Sequence, residues 1–246
     1  MQYKYTAEQA DYSDLSSGRV FYSLPGHPAF PVRLASEIFQ RCVAHRQVST
    51  PVALYDPCCG AAYQLSVLAY LHGEDIREII ASDIEEKAVA LAKRNLGLLS
   101  TEGLENRTAE ISDMLEQYGK DSHRDALKSA LALKEKISAG KHLIEARVFQ
   151  SSAVDSRTMS LNIPPHSVDI VFTDVPYGQH SRWLDAQGSE LKDPMHSMLD
   201  TLLGILSPAS IVAITSDKQQ KAAHEAYQRI EQFQVGKRRV VILQPG

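Results

Sequence analysis

Along this chain, short and almost wholly apolar runs alternate with longer amphipathic stretches. The apolar runs are VALY at 52–55, IIAS at 79–82, ARVFQ at 146–150, VDIVFT at 168–173, SIVAIT at 210–215 and RVVIL at 239–243. Each has strand length and is rich in β-branched residues, which predicts six buried strands. Between them, apolar residues recur at helical spacing over 32–44, 64–72, 85–99, 195–206 and 219–232. In 32–44 the inner stripe is Leu34, Ile38, Phe39 and Cys42, and Pro208 stops the helix that ends near 206. Strands alternating with helices predict an α/β fold: a mostly parallel sheet with helices on both faces. The stretch 101–142 interrupts this rhythm. It holds no strand pattern, yet Ile111, Met114, Leu115 and Tyr118, then Leu127, Leu131, Leu133 and Ile137, keep helical spacing, so a helical insertion of one or two helices is expected. Residues 1–22 read as an extended or loosely helical arm, punctuated from the first helix by Pro25, Gly26, Pro28 and Pro31.

The candidate chemistry lies where strands turn into helices. YDPCCGAAY at 55–63 joins the first strand to its helix, so Asp56 stands at a strand tip beside free helix N–H groups. Asp83 stands at the next strand tip, 27 positions later, where an acid is placed to hold the two hydroxyls of a ribose. A dinucleotide site would need G-x-G-x-x-G and a turn that welcomes pyrophosphate. This turn has Gly60 and opens on an aspartate, which repels phosphate and suits the ammonium of a methionine-like group. That favours S-adenosylmethionine (SAM). A third strand-tip acid comes with DIVFTDVPYG at 169–178. Each acid also has a purely structural reading, as a helix cap or a strand-ending turn.

The ordered trio of DPxCG, a strand-tip Asp and (D/N)-x-P-Y resembles the class I SAM-dependent methyltransferases that modify exocyclic amines of bases. With SLPGHPAFPVRLASEIFQRC at 23–42, IASDIEEKAVALAKRNLGLLS at 80–100 and VFTDVPYG at 171–178, the chain is similar to the AviRa-like 23S rRNA methyltransferases of avilamycin and orthosomycin resistance. The resemblance covers most of the chain and is weakest in 101–142 and at the C-terminus. It implies one Rossmann-like domain over 1–246, with residues 1–50 as N-terminal arm and helix, and a seven-stranded sheet whose last strand is antiparallel. It implies SAM as cofactor, held by Arg33, Asp56, Pro57, Cys59, Gly60, Tyr63, Asp83, Ile84, Ser152 and Ala153. It implies a catalytic clamp of Asp174, Pro176 and Tyr177. Asp174 would accept a hydrogen bond from the target amine of the base, Pro176 would stiffen a backbone carbonyl, and Tyr177 would stack on the flipped base, with a ring nitrogen and an exocyclic amine both open as the methylated atom. The substrate would be a guanine of 23S rRNA, in the rRNA or the large ribosomal subunit. A DNA adenine or a protein amide would suit the same motif, and a SAM-fold protein that binds without turnover is a third reading. Two departures favour that last one: Ala62 stands where the family has glycine, and Ser152 where related enzymes place an acid for the adenine amine, with Asp155 three residues on.

Composition changes this picture little. The 246 residues are 43% hydrophobic and 23% charged, ordinary for one large soluble domain. No apolar run approaches the length of a membrane span and no secretory leader pattern opens the chain, so a cytoplasmic monomer is expected. Cys42, Cys58 and Cys59 form neither a disulfide framework nor a C-x-x-C metal pair, and no metal is expected. The net charge of −4 is unusual for a nucleic-acid binder, which leaves a local basic face to do that work: Lys237, Arg238 and Arg239, with Arg33, His180, Arg182, Lys218 and Lys221 near strand tips. Trp183 on the same rim either stacks on RNA or packs. The insertion is either a solvated connection or an RNA-gripping lid.

Overall fold

A computed structural model of the chain describes residues 2–23, 29–48, 51–139, 144–175, 183 and 191–246. The turn prolines Pro25 and Pro28, together with Gly26, Pro176, Tyr177, His180 and Arg182, lie outside the described residues. The elements run α1 (Val32–Arg46), β1 (Val52–Asp56), α2 (Tyr63–His72), β2 (Ile76–Asp83), α3 (Glu86–Gly97), α4 (Thr101–Tyr118), α5 (Asp121–Ala139), β3 (Glu145–Gln150), α6 (Ser156–Asn162), β4 (Val168–Asp174), α7 (Pro194–Leu203), β5 (Leu206–Ser216), β6 (Tyr227–Val235) and β7 (Arg238–Pro245). They build one seven-stranded sheet in the order β3-β2-β1-β4-β5-β7-β6. The first five strands in that order are parallel, and β7 is antiparallel to both β5 and β6. Among the described residues no helix is long and apolar enough to cross a membrane.

The central strands are apolar throughout because both faces are covered. Period-two alternation sends Leu54, Ile79, Ile170 and Ile211 into a core with α1, α2 and α3. Their neighbours Tyr55, Ile80, Val171 and Val212 enter the opposite core with α6 and α7. The chain switches direction between β1 and β4, so the C-terminal tips of β2, β1 and β4 open one crevice, the usual ligand position in a doubly wound sheet.

The expected helix over 219–232 does not form: residues 219–226 are irregular, and 227–232 belong to a strand, β6, hairpinned to β7. A register shift between Arg229 and Glu231 breaks the strand's alternation. It spaces Tyr227, Ile230 and Phe233 three apart, which mimics a helical stripe. Gly236, with φ 59°, makes the two-residue hairpin turn with Lys237. This strand is the seventh of the sheet, which the apolar runs alone left unplaced.

The insertion is two helices, α4 and α5, linked at Gly119 and Lys120. It encloses a third core in which Leu104, Ile111, Ala130 and Leu133 meet Leu15, Val20 and Phe21 of the arm. Arg107 donates to Val20 O, and Tyr22 donates to Glu110 while its ring lies between the guanidinium groups of Arg94 and Arg107. The insertion therefore packs the arm against the body. The front of the arm is held by Glu37, fully buried on α1, which accepts from the N–H groups of Lys4, Tyr5 and Thr6 and from Arg41. Burial pushes the Glu37 carboxyl up, but those donors outweigh it and hold it near 2.

Ser100 caps α4 through Gly103 N–H, and this brings Gly103 against the end of α3. A methyl on Gly103 would stand 2.0 Å from Gly97 O, a backbone atom that cannot swing away. Gly103→Ala is therefore expected to destabilise the protein by about 1–3 kcal/mol, the usual cost of overpacking. Urea titration checks it; an unchanged midpoint would show that α3 and α4 are free to separate.

Candidate active site

Three aspartates end three neighbouring strands: Asp83 on β2, Asp56 on β1 and Asp174 on β4. The turn after β1 is fixed from below and from the side. Asp56 Oδ1 accepts from Cys58 N–H at 3.0 Å, and Cys59 N–H donates to Ser82 O on β2 at 3.0 Å. Gly60 N–H donates to Asp83 Oδ2 at 2.8 Å, while the other Asp83 oxygen takes Glu85 N–H at 2.9 Å. Gly60 has φ 53°, and a Cβ there would meet nothing within 4 Å, so its outer face is open space. Ile84 beside it is 54% exposed, unusual for so large an apolar side chain. Ser151 N–H donates to Asp83 O, which brings Ser152 and Ala153 to the same edge. Asp155 caps α6, accepting from Thr158 N–H and from the Thr158 hydroxyl.

Burial pushes the Asp56 carboxyl up to about 7; the Asp83 and Asp174 charges push the same way, against the Cys58 N–H bond. Burial likewise pushes Asp174 up to about 7, against the pull of Arg238, whose Nε lies 3.9 Å from Oδ2. Asp174 Oδ1 is buried and has no hydrogen-bond partner among the described residues. A crevice edged by three carboxylates, two of them held near neutrality, is complementary to a cationic ligand and to groups that donate N–H or O–H bonds. Beside it, a cleft of about 290 Å³ is lined by Trp183, Lys192, Met195, Gln219 and Lys221.

The structure brings Asp56, Pro57, Cys59, Gly60, Asp83, Ile84, Ser152, Ala153 and Asp174 to one edge of the sheet. Two expected cofactor residues have other partners. Arg33 donates to the carbonyls of Thr6 and Ala7 and stacks on Tyr3. Tyr63 donates to Leu15 O and packs edge-on against Phe21. Both fasten the arm. Pro176 and Tyr177 lie outside the described residues.

One residue that matters here had no motif to mark it. Asn95, fully buried on α3, donates from Nδ2 to Ala61 O at 2.8 Å and to Tyr22 O at 2.9 Å, and accepts from Tyr22 N–H at 2.8 Å. It joins the DPCCGAA turn to the arm. Its only sequence signal is a polar residue on the inward stripe of an amphipathic helix. Ala62, the departure from glycine, does take φ 53°, with its methyl buried in the core under the turn. A left-handed alanine stores roughly 1–2 kcal/mol of backbone strain.

The strand order, the antiparallel β7 and the acids at the crevice define a Rossmann-like fold of the methyltransferase class. A family profile described as rRNA methyltransferase AviRa matches residues 1–238. The chain is 36% identical over 241 residues to a 23S rRNA (guanine(2535)-N(1))-methyltransferase of Streptomyces viridochromogenes, covering 98% of this chain and 95% of that protein. The structure of the rRNA methyltransferase aviRa from the same organism superposes with a TM-score of 0.88 at 36% identity, over 100% of this chain and 96% of the other. Thermus thermophilus TrmN shares the fold alone, with a TM-score of 0.52 at 16% identity over 88% of this chain and 49% of the other. The chain belongs to the AviRa rRNA methyltransferase family.

Asn95→Ala would leave Tyr22 N–H, Tyr22 O and Ala61 O without their partner. The expected loss is about 1–3 kcal/mol for the unpaired buried groups, read by thermal or urea unfolding. Faster amide hydrogen exchange at both 20–23 and 60–63 should accompany it; protection unchanged at 60–63 would show that the turn holds its shape without Asn95.

Proposed function

We propose that this protein transfers a methyl group from SAM to N1 of a guanine in 23S rRNA, with protection from an orthosomycin antibiotic as the consequence. Family membership and the named activity of its 36% identical relative support the reaction and substrate class. The observation that carries the reading is Asp174 Oδ1, buried at the crevice with no partner among the described residues.

The residues fit SAM. Asp56 would hold the methionine ammonium, the open face of Gly60 would admit the cofactor, Asp83 would take the ribose hydroxyls and Ile84 would offer an apolar surface to adenine. Pro57, Cys59, Ser152 and Ala153 complete the wall, and Arg33 and Tyr63 act through the arm they fasten. When bound, SAM supplies an electrophilic methyl on a sulfonium. Guanine N1 carries a hydrogen, and its in-plane lone pair becomes available only as that proton leaves. Asp174 accepts it. A carboxyl near 7 is ionised often enough to act as base and basic enough to take the proton. Pro176 and Tyr177 complete the clamp by stiffening the loop and stacking on the base. Lys192 and Lys221 attract the RNA backbone, and Trp183 offers a stacking face.

The test is single-turnover methylation of ribosomal RNA at saturating SAM. Asp174→Ala should lower the rate by roughly 10²–10³ with SAM affinity almost unchanged. Asp174→Asn should fall close to Ala, because an amide accepts a hydrogen bond but takes no proton. The wild-type rate should climb about tenfold per pH unit below 7 and level off above it, as Asp174 ionises. Asp174→Ala at the wild-type rate would remove the chemical basis of this reading. For the cofactor, Asp83→Ala should lose SAM affinity in calorimetry. Ala62→Gly should tighten SAM binding by letting the left-handed turn relax; equal affinity would show that the core absorbs the strain.

A further inference from the structure

On the side of α7, three donor groups converge that the methyl-transfer site does not use. His196 Nε2 lies 2.9 Å from Glu225 Oε2, and His224 Nδ1 lies 3.8 Å from the same oxygen. One donor atom from each of the three residues falls within 4.8 Å of the others. The two imidazoles overlap, with ring centroids 4.1 Å apart and planes tilted by 33°. With metal–ligand distances of about 2.0–2.1 Å, neighbouring ligand atoms stand about 3.0 Å apart at a right angle and about 3.4 Å apart at the tetrahedral angle. The separations of 2.9 and 3.8 Å lie on either side of those values. His196 is partly exposed and the Glu225 side chain is 78% exposed, so both are free to move inward; the His224 side chain is only 3% exposed and is the fixed point.

The second sphere is already in place. Ala226 N–H donates to His224 Nδ1 at 3.1 Å, which puts the ring's own proton on Nε2. Among the described residues that buried Nε2 has no hydrogen-bond partner, and Asp200 Oδ1 lies 3.8 Å away. An Nδ1 that offers its lone pair, here taken by Ala226 N–H, with N–H on the far side toward a carboxylate, is the tautomer a metal-ligating histidine takes. The Ala226 N–H bond would yield to the ion.

From this geometry we propose that His196, His224 and Glu225 form a binding site for a late first-row divalent cation, with zinc as the reference ion and Asp200 as a positioning residue. Two imidazoles and a carboxylate suit this class and not magnesium or calcium, which prefer oxygen. The ion would join α7 to the segment before β6. Met195 on α7 and Gln219–Lys221 in that segment line the cleft of about 290 Å³, so the site braces a wall of that cleft.

The experiment is calorimetric titration of zinc chloride into tag-free, chelator-treated protein, with thermal unfolding in parallel. The wild type should bind one ion and melt higher with zinc. His196→Ala and Glu225→Gln, partly exposed changes that leave the metal-free melting temperature in place, should weaken binding at least tenfold, and Asp200→Asn about 10- to 100-fold. Magnesium should produce none of this. No zinc binding by the wild type would overturn the proposal. So would binding that persists at full strength in His196→Ala and Glu225→Gln, since the ion would then sit elsewhere, for instance on the cysteines.

Discussion

The constraint on which this molecule turns is the gathering of three carboxylates at one edge of a parallel sheet. Asp56 is buried and Asp174 half-buried, and burial holds both near 7, with the other two carboxylates pushing Asp56 the same way. Their sign is opposite to that of a salt-bridged acid. The folded protein binds protons more tightly than the unfolded chain, so these two groups cost stability as pH rises from their ordinary range near 4 toward 7. A site that is costly in the free protein is one that a cationic ligand relieves. Asp174 Oδ1, buried and without a partner among the described residues, is on the proposed reading the acceptor for a donor that arrives with the base.

The rest of the fold keeps those carboxylates where they are. Backbone bonds from the β1–α2 turn reach β2 through Ser82 and Asp83, so the turn cannot drift from the neighbouring tip. Asn95 ties the same turn to the arm, and the arm is pinned at its front by the buried Glu37 and at its back by α4 and α5. The helical insertion, which interrupts the strand–helix rhythm, thus buries its apolar stripe by clamping residues 15–21. At the opposite end of the sheet, Asp169 accepts from Ala53 N–H, Arg46, Arg77 and Ser207, joining the N-terminal ends of the central strands.

The parts of the fold and site legible in the sequence are those governed by local periodicity. VALY and VDIVFT are uninterrupted because both faces are covered, and the acids that follow them stand at strand tips for the same reason. What escaped depends on partners far away in the chain. β6 carries a polar, helix-like composition and a bulge that disguises its alternation; only pairing with β7 makes it a strand. Asn95 looks like any polar residue on α3 until Tyr22 and Ala61 are folded beside it. Arg33 and Tyr63 lie near the crevice in sequence, but long-range bonds to Thr6, Ala7 and Leu15 claim them. The cluster of His196, His224 and Glu225 has no spacing motif because it bridges a helix and a distant loop.

The most direct test of the account is to incubate the protein with methyl-labelled SAM and 23S rRNA, intact large subunits, DNA and a protein extract in parallel, then to map the labelled product by mass spectrometry. The account predicts label in 23S rRNA alone, on one guanine, as N1-methylguanosine, and none with Asp174→Ala. Label on an exocyclic amine, in DNA or in protein, or no transfer despite SAM binding, would contradict it.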